Sequence, residues 1–146
     1  MIFLDANVFL RAITEATPET QVMAAAARDL FRAIGRGEEE ATTSEAVIAE
    51  VAFILYAKRH YGLPPDRVAA RLRPFLTLPH LHLPRAAKQR YLQALALWSA
   101  NPRLGFVDAL TAVTVVGMDI AFATFDSDFD GLPDIARWQP PNAGAA

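Results

Sequence analysis

The chain has 146 residues, 53% of them hydrophobic and 21% charged, with a formal net charge of −2. That length and apolar content fit one compact domain with a real core and exclude a disordered or solvating chain. The sequence has no cysteine, which excludes disulfides, thiol catalysis and zinc–thiolate sites and fits a reducing cytoplasm; the charge balance excludes a global basic field for nucleic acid.

"IFLD" (2–5) is a short apolar run ending in an acid and predicts a buried strand. Asp5 arrives too early, and with no basic flank before it, for a signal peptide, and no apolar run is long enough to span a membrane. "ANVFLRAI" predicts a first short helix. Pro18 is placed to open a second, with Val22, Ala26, Leu30 and Ile34 on its apolar face and a stop at Gly35 or Gly37. "EATTS" (40–44) predicts a short strand and "SEAVIAEVAFILYAKRHYG" a strongly apolar helix ending at Gly62. Pro64 or Pro65 starts another helix, the position where proline fits best. "LPHLHLP" (78–84) alternates between prolines, as an edge strand does. "RAAKQRYLQALALWSA" is amphipathic, with Tyr91, Leu95 and Trp98 on one face. "GFVDALTAVTVVGM" is a compact apolar helix, "IAFATF" (120–125) a strand, and "DIARW" a last short strand. The domain covers 1–138, and 139–146 reads as a flexible tail.

Helices alternating with short apolar runs predict an α/β sandwich around a mostly parallel central sheet. In such folds the sites lie at the carboxyl ends of the strands. Two strands here end in acids, at Asp5 and Asp126. Asp108 sits in the first turn of an apolar helix. Glu50 sits inside the most apolar helix, among Ala46, Phe53, Ile54 and Ala57. Local roles exist for the aspartates: Asp5 as a helix cap, Asp108 at a helix N-terminus, Asp126 at a turn. None explains Glu50. A buried carboxylate is costly alone, but several together make sense around a hard cation such as Mg²⁺ or Mn²⁺. Glu45 has a different role. Thr42 precedes it by three residues, the spacing of a capping box.

The ordered set "FLDANVFLRAIT", "TTSEAVIAEVAFIL", "GFVDALTAV" and "ATFDSDFDGLPDI" resembles the PIN-domain nucleases, and among them the VapC-type toxins of toxin–antitoxin pairs. The likeness runs from Ile2 to about Ile135. It implies a three-layer α/β/α fold and a Mg²⁺- or Mn²⁺-dependent endoribonuclease in the cytoplasm. It implies that Asp5, Glu50, Asp108 and Asp126 are the catalytic, metal-holding acids, with Asn7, Thr124 and Asp128 in support. It also implies an RNA substrate, a cognate antitoxin and a homodimer. A stand-alone RNA-processing nuclease and a non-catalytic PIN-like binding module are the alternatives. Arg11 is the candidate to grip a phosphate, against the plainer reading of a solvated surface arginine.

"DSDFDG" (126–131) also matches the first half of a calcium loop. Its twelfth position, however, is Arg137 where a bidentate glutamate is needed, and Pro133 interrupts it. A phosphohydrolase of the haloacid dehalogenase type uses D-x-D after a strand, but it expects Thr or Val where Asp130 stands.

Overall fold

The structure is a computed structural model that describes residues 1–141. Strands β1 (Ile2–Phe3) and β2 (Ala41–Thr42) pair in parallel, Ile2 opposite Ala41 and Phe3 opposite Thr42. Leu81 bridges Ala41 in parallel on the other side of β2. Parallel neighbours need long crossovers. The first is the helix pair α1 (Ala6–Ile13) and α2 (Gln21–Gly35). The second is α3 (Glu45–Tyr56) and α4 (Pro65–Leu76), after which come α5 (Arg85–Ala100) and α6 (Phe106–Met118). This is the α/β architecture that the sequence predicts, with helices dominating a small parallel sheet.

One apolar cluster runs through all of these elements. Phe9 of α1, Phe31 of α2 and Phe75 of α4 pack as a trio, with ring centroids 5.2, 6.3 and 4.6 Å apart. Removing a buried ring of this kind typically costs about 3–5 kcal/mol. On the other side Trp98 meets Tyr56 and Phe106, and its indole N–H donates to Leu104 O at 2.7 Å. Arginine serves the fold as well. Arg28 donates to Thr14 O and Arg71 to Ile13 O, satisfying carbonyls that the end of α1 leaves open.

Several expectations need correction. Helix α2 begins at Gln21, because Pro18 lies in a turn in which the Thr20 hydroxyl accepts the Thr17 N–H. Its buried residues are Ala24, Ala27, Phe31 and Ile34, whereas Val22 is 84% exposed. A period of 3.6 allows either stripe, and docking Phe31 into the aromatic trio selects the one with the larger burial. The cap of α3 is Ser44, whose hydroxyl accepts Val47 N–H at 3.3 Å. Thr42 instead donates to His82 O, so Glu45 is the first helical residue and not the partner in a capping box. "LPHLHLP" contributes only the single bridge at Leu81.

The largest difference is at "IAFATF", which is not a regular strand. Only Phe122 pairs, donating to Ala136 O and accepting from Trp138 N, so "DIARW" likewise contributes a single bridge, at Arg137. The Arg137 guanidinium takes the carbonyl oxygens of Thr124 (3.2 Å) and Asp126 (3.5 Å), groups that a neighbouring strand would otherwise claim. The apolar run is not buried either: Ile120 is half exposed and Phe125 almost wholly so. Most of the expected tail, 142–146, lies outside the described residues.

Candidate metal centre

Three carboxylates converge where α6 begins and the 120s segment turns. One oxygen from each of Asp108, Asp126 and Asp128 lies within 4.8 Å of the other two. Local chemistry fixes each of them. Asp108 is the third residue of α6, and its Oδ2 accepts Gly105 N–H at 3.2 Å. Asp126 precedes a single 3-10 turn (Ser127–Phe129), and its Oδ1 accepts Asp128 N–H at 2.9 Å. The Asp126 N–H donates in turn to the Thr124 hydroxyl at 3.1 Å, so Thr124 positions the backbone that carries Asp126. Phe129 is buried against Phe122 with centroids 4.9 Å apart, which anchors the turn.

Asp108 and Asp126 each keep a second oxygen with no hydrogen bond among the described residues, and Asp128 keeps both. Three negative charges so close repel one another, and a divalent cation removes that repulsion. An all-oxygen carboxylate set fits Mg²⁺ or Mn²⁺ and disfavours softer ions.

The other two acids of the expected quartet stand apart. Asp5 occupies the N-cap position of α1, but its side chain makes no cap bond. Its carboxylate is exposed and uncommitted. Glu50 is exposed on α3, on the side shared with Ala46 and Phe53, which corrects the expectation of a buried acid. The mean composition of α3 is apolar, but its core face is Val47, Ile48, Val51, Ala52 and Leu55, and Glu50 lies outside it. Neither Asp5 nor Glu50 joins the three-acid group among the described residues. Their elements are nevertheless contiguous with it. The Thr43 hydroxyl donates to Leu4 O at 2.8 Å, tying the start of α3 to the carboxyl end of β1, and α3 packs on both α1 and α6.

Asn7 is exposed on α1 and lines a shallow groove with Arg11, Met23 and Leu30. Arg11 is half-buried, and its Nε is covered there without a hydrogen-bond partner among the described residues. Asp130 pairs with Arg137 at 2.9 Å, and Gly131 turns the chain away at φ 79°. The calcium-loop reading therefore fails in space as well as in sequence, because its fifth-position acid and the carbonyl of its first residue are held by an arginine.

A family model for the PIN domain matches residues 2–135. The chain belongs to the PIN-domain family. No curated protein matches it. PIN domains are in general metal-dependent nucleases, and this one brings together an acidic group able to hold a metal ion. No helix among the described residues is long and apolar enough to cross a membrane.

Three contributors to this PIN domain have no role assigned from the sequence: Gly105 and Thr43, which lie within the motifs and hold Asp108 and the end of β1, and Arg137, which lies beyond them and holds the 120s segment. A second group, Glu40 with His80 and His82, also escapes them. Its signal in the sequence is the H-L-H alternation, which puts both imidazoles on one face of an extended segment. Hydrogen bonds from His82 first and His80 second hold the Glu40 carboxyl below its usual range.

Proposed function

We propose that this PIN domain is a metal-dependent endoribonuclease acting in the cytoplasm as the VapC-type toxin of a toxin–antitoxin pair. The convergence of Asp108, Asp126 and Asp128 within 4.8 Å carries the reading. Asp5 and Glu50 complete the acidic set from neighbouring elements, with Asn7 and Thr124 in support. Bound Mg²⁺ or Mn²⁺ would supply Lewis-acid stabilisation of a phosphodiester and a more acidic water. The chain's own contribution is placement. Gly105 N–H holds Asp108, Asp128 N–H holds Asp126, and the Thr124 hydroxyl fixes the backbone that carries Asp126. Hydrolysis of this kind leaves 5′-phosphate and 3′-hydroxyl ends. A homodimer and an antitoxin are the expected protein partners; Val22 and Met23, both exposed on α2, offer apolar surface for one of them.

The test is cleavage of structured RNA by purified protein. Cutting is expected with Mg²⁺ or Mn²⁺ and should stop with EDTA. Asp126→Asn and Asp5→Asn should each reduce it at least about 100-fold, the scale of losing one preorganised electrostatic group. Cutting that persists in EDTA overturns the metal-dependent reading. Mn²⁺ binding with no cleavage of any RNA favours the non-catalytic alternative, and cleavage without a cognate antitoxin favours a stand-alone RNA-processing nuclease.

A further inference from the structure

Glu40 immediately precedes β2, and His80 and His82 flank Leu81, the residue bridged to Ala41. Ala41 N–H donates to His80 O at 3.0 Å and His82 N–H to Ala41 O at 2.7 Å, and the Thr42 hydroxyl adds a bond to His82 O. Because side chains alternate along extended backbone, the buried Ala41 and Leu81 point inward and their neighbours outward. The ladder thus delivers Glu40, His80 and His82 to one outer face. His80 Nδ1 lies 3.1 Å from Glu40 Oε1, and His82 Nε2 meets Glu40 Oε2. All three donor atoms lie within 4.8 Å of one another. Gly37 makes room for the His80 ring: it adopts φ 73°, and a Cβ there would sit 2.9 Å from His80 Nε2.

We propose that Glu40, His80 and His82 form a zinc site with its fourth position open to water, separate from the three-aspartate group. Two imidazoles and one carboxylate form a set that zinc uses and that Mg²⁺ does not favour. The 3.1 Å between His80 Nδ1 and Glu40 Oε1 is close to the roughly 3.4 Å edge of a tetrahedron with zinc–ligand bonds of about 2.0–2.1 Å. An ion held here would tie the 78–84 segment to β2, adding to two backbone bonds, the Thr42 hydroxyl and the buried Leu81.

The experiment is titration of tag-free full-length protein with ZnCl₂, followed by calorimetry and thermal melting, in the Asp126→Asn/Asp128→Asn background as well as in the wild type. One zinc per chain is expected at the site in both backgrounds, with a rise in Tm of about 5–10 °C at a hundredfold excess over Kd. MgCl₂ at the same concentration should give no such rise in the double-Asn background. His80→Ala, His82→Ala and Glu40→Gln should each weaken binding at least about 10-fold, since even partners of zinc ligands matter that much. His60→Ala, which removes the remaining histidine, should change nothing. Equal zinc binding by wild type and His80→Ala/His82→Ala overturns the site. If a variant fails to fold, Co²⁺ added to the wild type decides: strong visible bands of a four-coordinate ion support the site, and the pale spectrum of a six-coordinate ion overturns it.

Discussion

At Asp108 one side chain serves both helix and site. Its Oδ2 closes the first turn of α6 on Gly105 N–H, while its carboxylate belongs to the three-acid group. The two roles separate by substitution. Asn keeps an acceptor for Gly105 but loses the charge, and Ala loses both. Asp108→Asn should therefore abolish metal-dependent cleavage with little change in stability, because the turn bond is spared and some repulsion is relieved. Asp108→Ala should in addition cost about 1 kcal/mol in urea unfolding, the usual scale for a helix N-terminal bond. Equal stability loss in both variants would mean that the charge, not the acceptor, holds the turn. The same residue shows what the sequence disclosed. An acid in the first turn of an apolar helix has a local meaning and a chemical one, and "GFVDAL" carries both at once. Asp126 and Asp128 likewise lie side by side in sequence and meet in space for that reason. Asp5 and Glu50 come from distant segments, and only packing decides whether they join.

Apolar periodicity and end signals place α1, α4, α5 and α6 within a residue or two, whereas α3, expected to run to Gly62, ends at Tyr56. Caps depend on partners and were not legible, and of the strands only β1 and β2 formed where expected. Thr42 and Glu45 have the spacing of a capping box, yet the Thr42 hydroxyl is taken by His82 O, a group forty residues away, and Ser44 caps α3 instead. This has a measurable consequence. Ser44→Ala should destabilise the protein by about 0.5–2 kcal/mol, lowering Tm by several degrees. Glu45→Ala should cost less, about 0.3–1 kcal/mol, through loss of a favourable charge at the helix N-terminus. Thermal melts of the two variants check the order, and a larger loss at Glu45 would restore the capping box. The segment "IAFATF" makes the same point for strands. Its composition predicts β, but composition cannot foresee that Arg137 will take the carbonyls of Thr124 and Asp126.

Across the whole molecule the acidic group joins two parts of unequal firmness. Asp108 belongs to α6, which packs on α5 and α3 and borders the main core. Asp126 and Asp128 belong to the 119–138 segment, which is held by two backbone bonds at Phe122, the Phe122–Phe129 contact and Arg137. Leu132, Pro133 and Ile135 leave a cavity of about 360 Å³ against α5 and α6. Few buried contacts and few protected amides make a segment that opens locally at low free energy. A cation shared by Asp108, Asp126 and Asp128 links the loose part to the firm one and binds only the closed arrangement. By linkage, Mg²⁺ at ten times its Kd should slow amide exchange in 120–138 about 10-fold while leaving α5 unchanged. Asp108→Asn should remove that protection. Hydrogen-exchange mass spectrometry resolves the two regions, and exchange in 120–138 that ignores Mg²⁺ would separate the ion from this segment and leave the convergence of the three acids without a mechanical role.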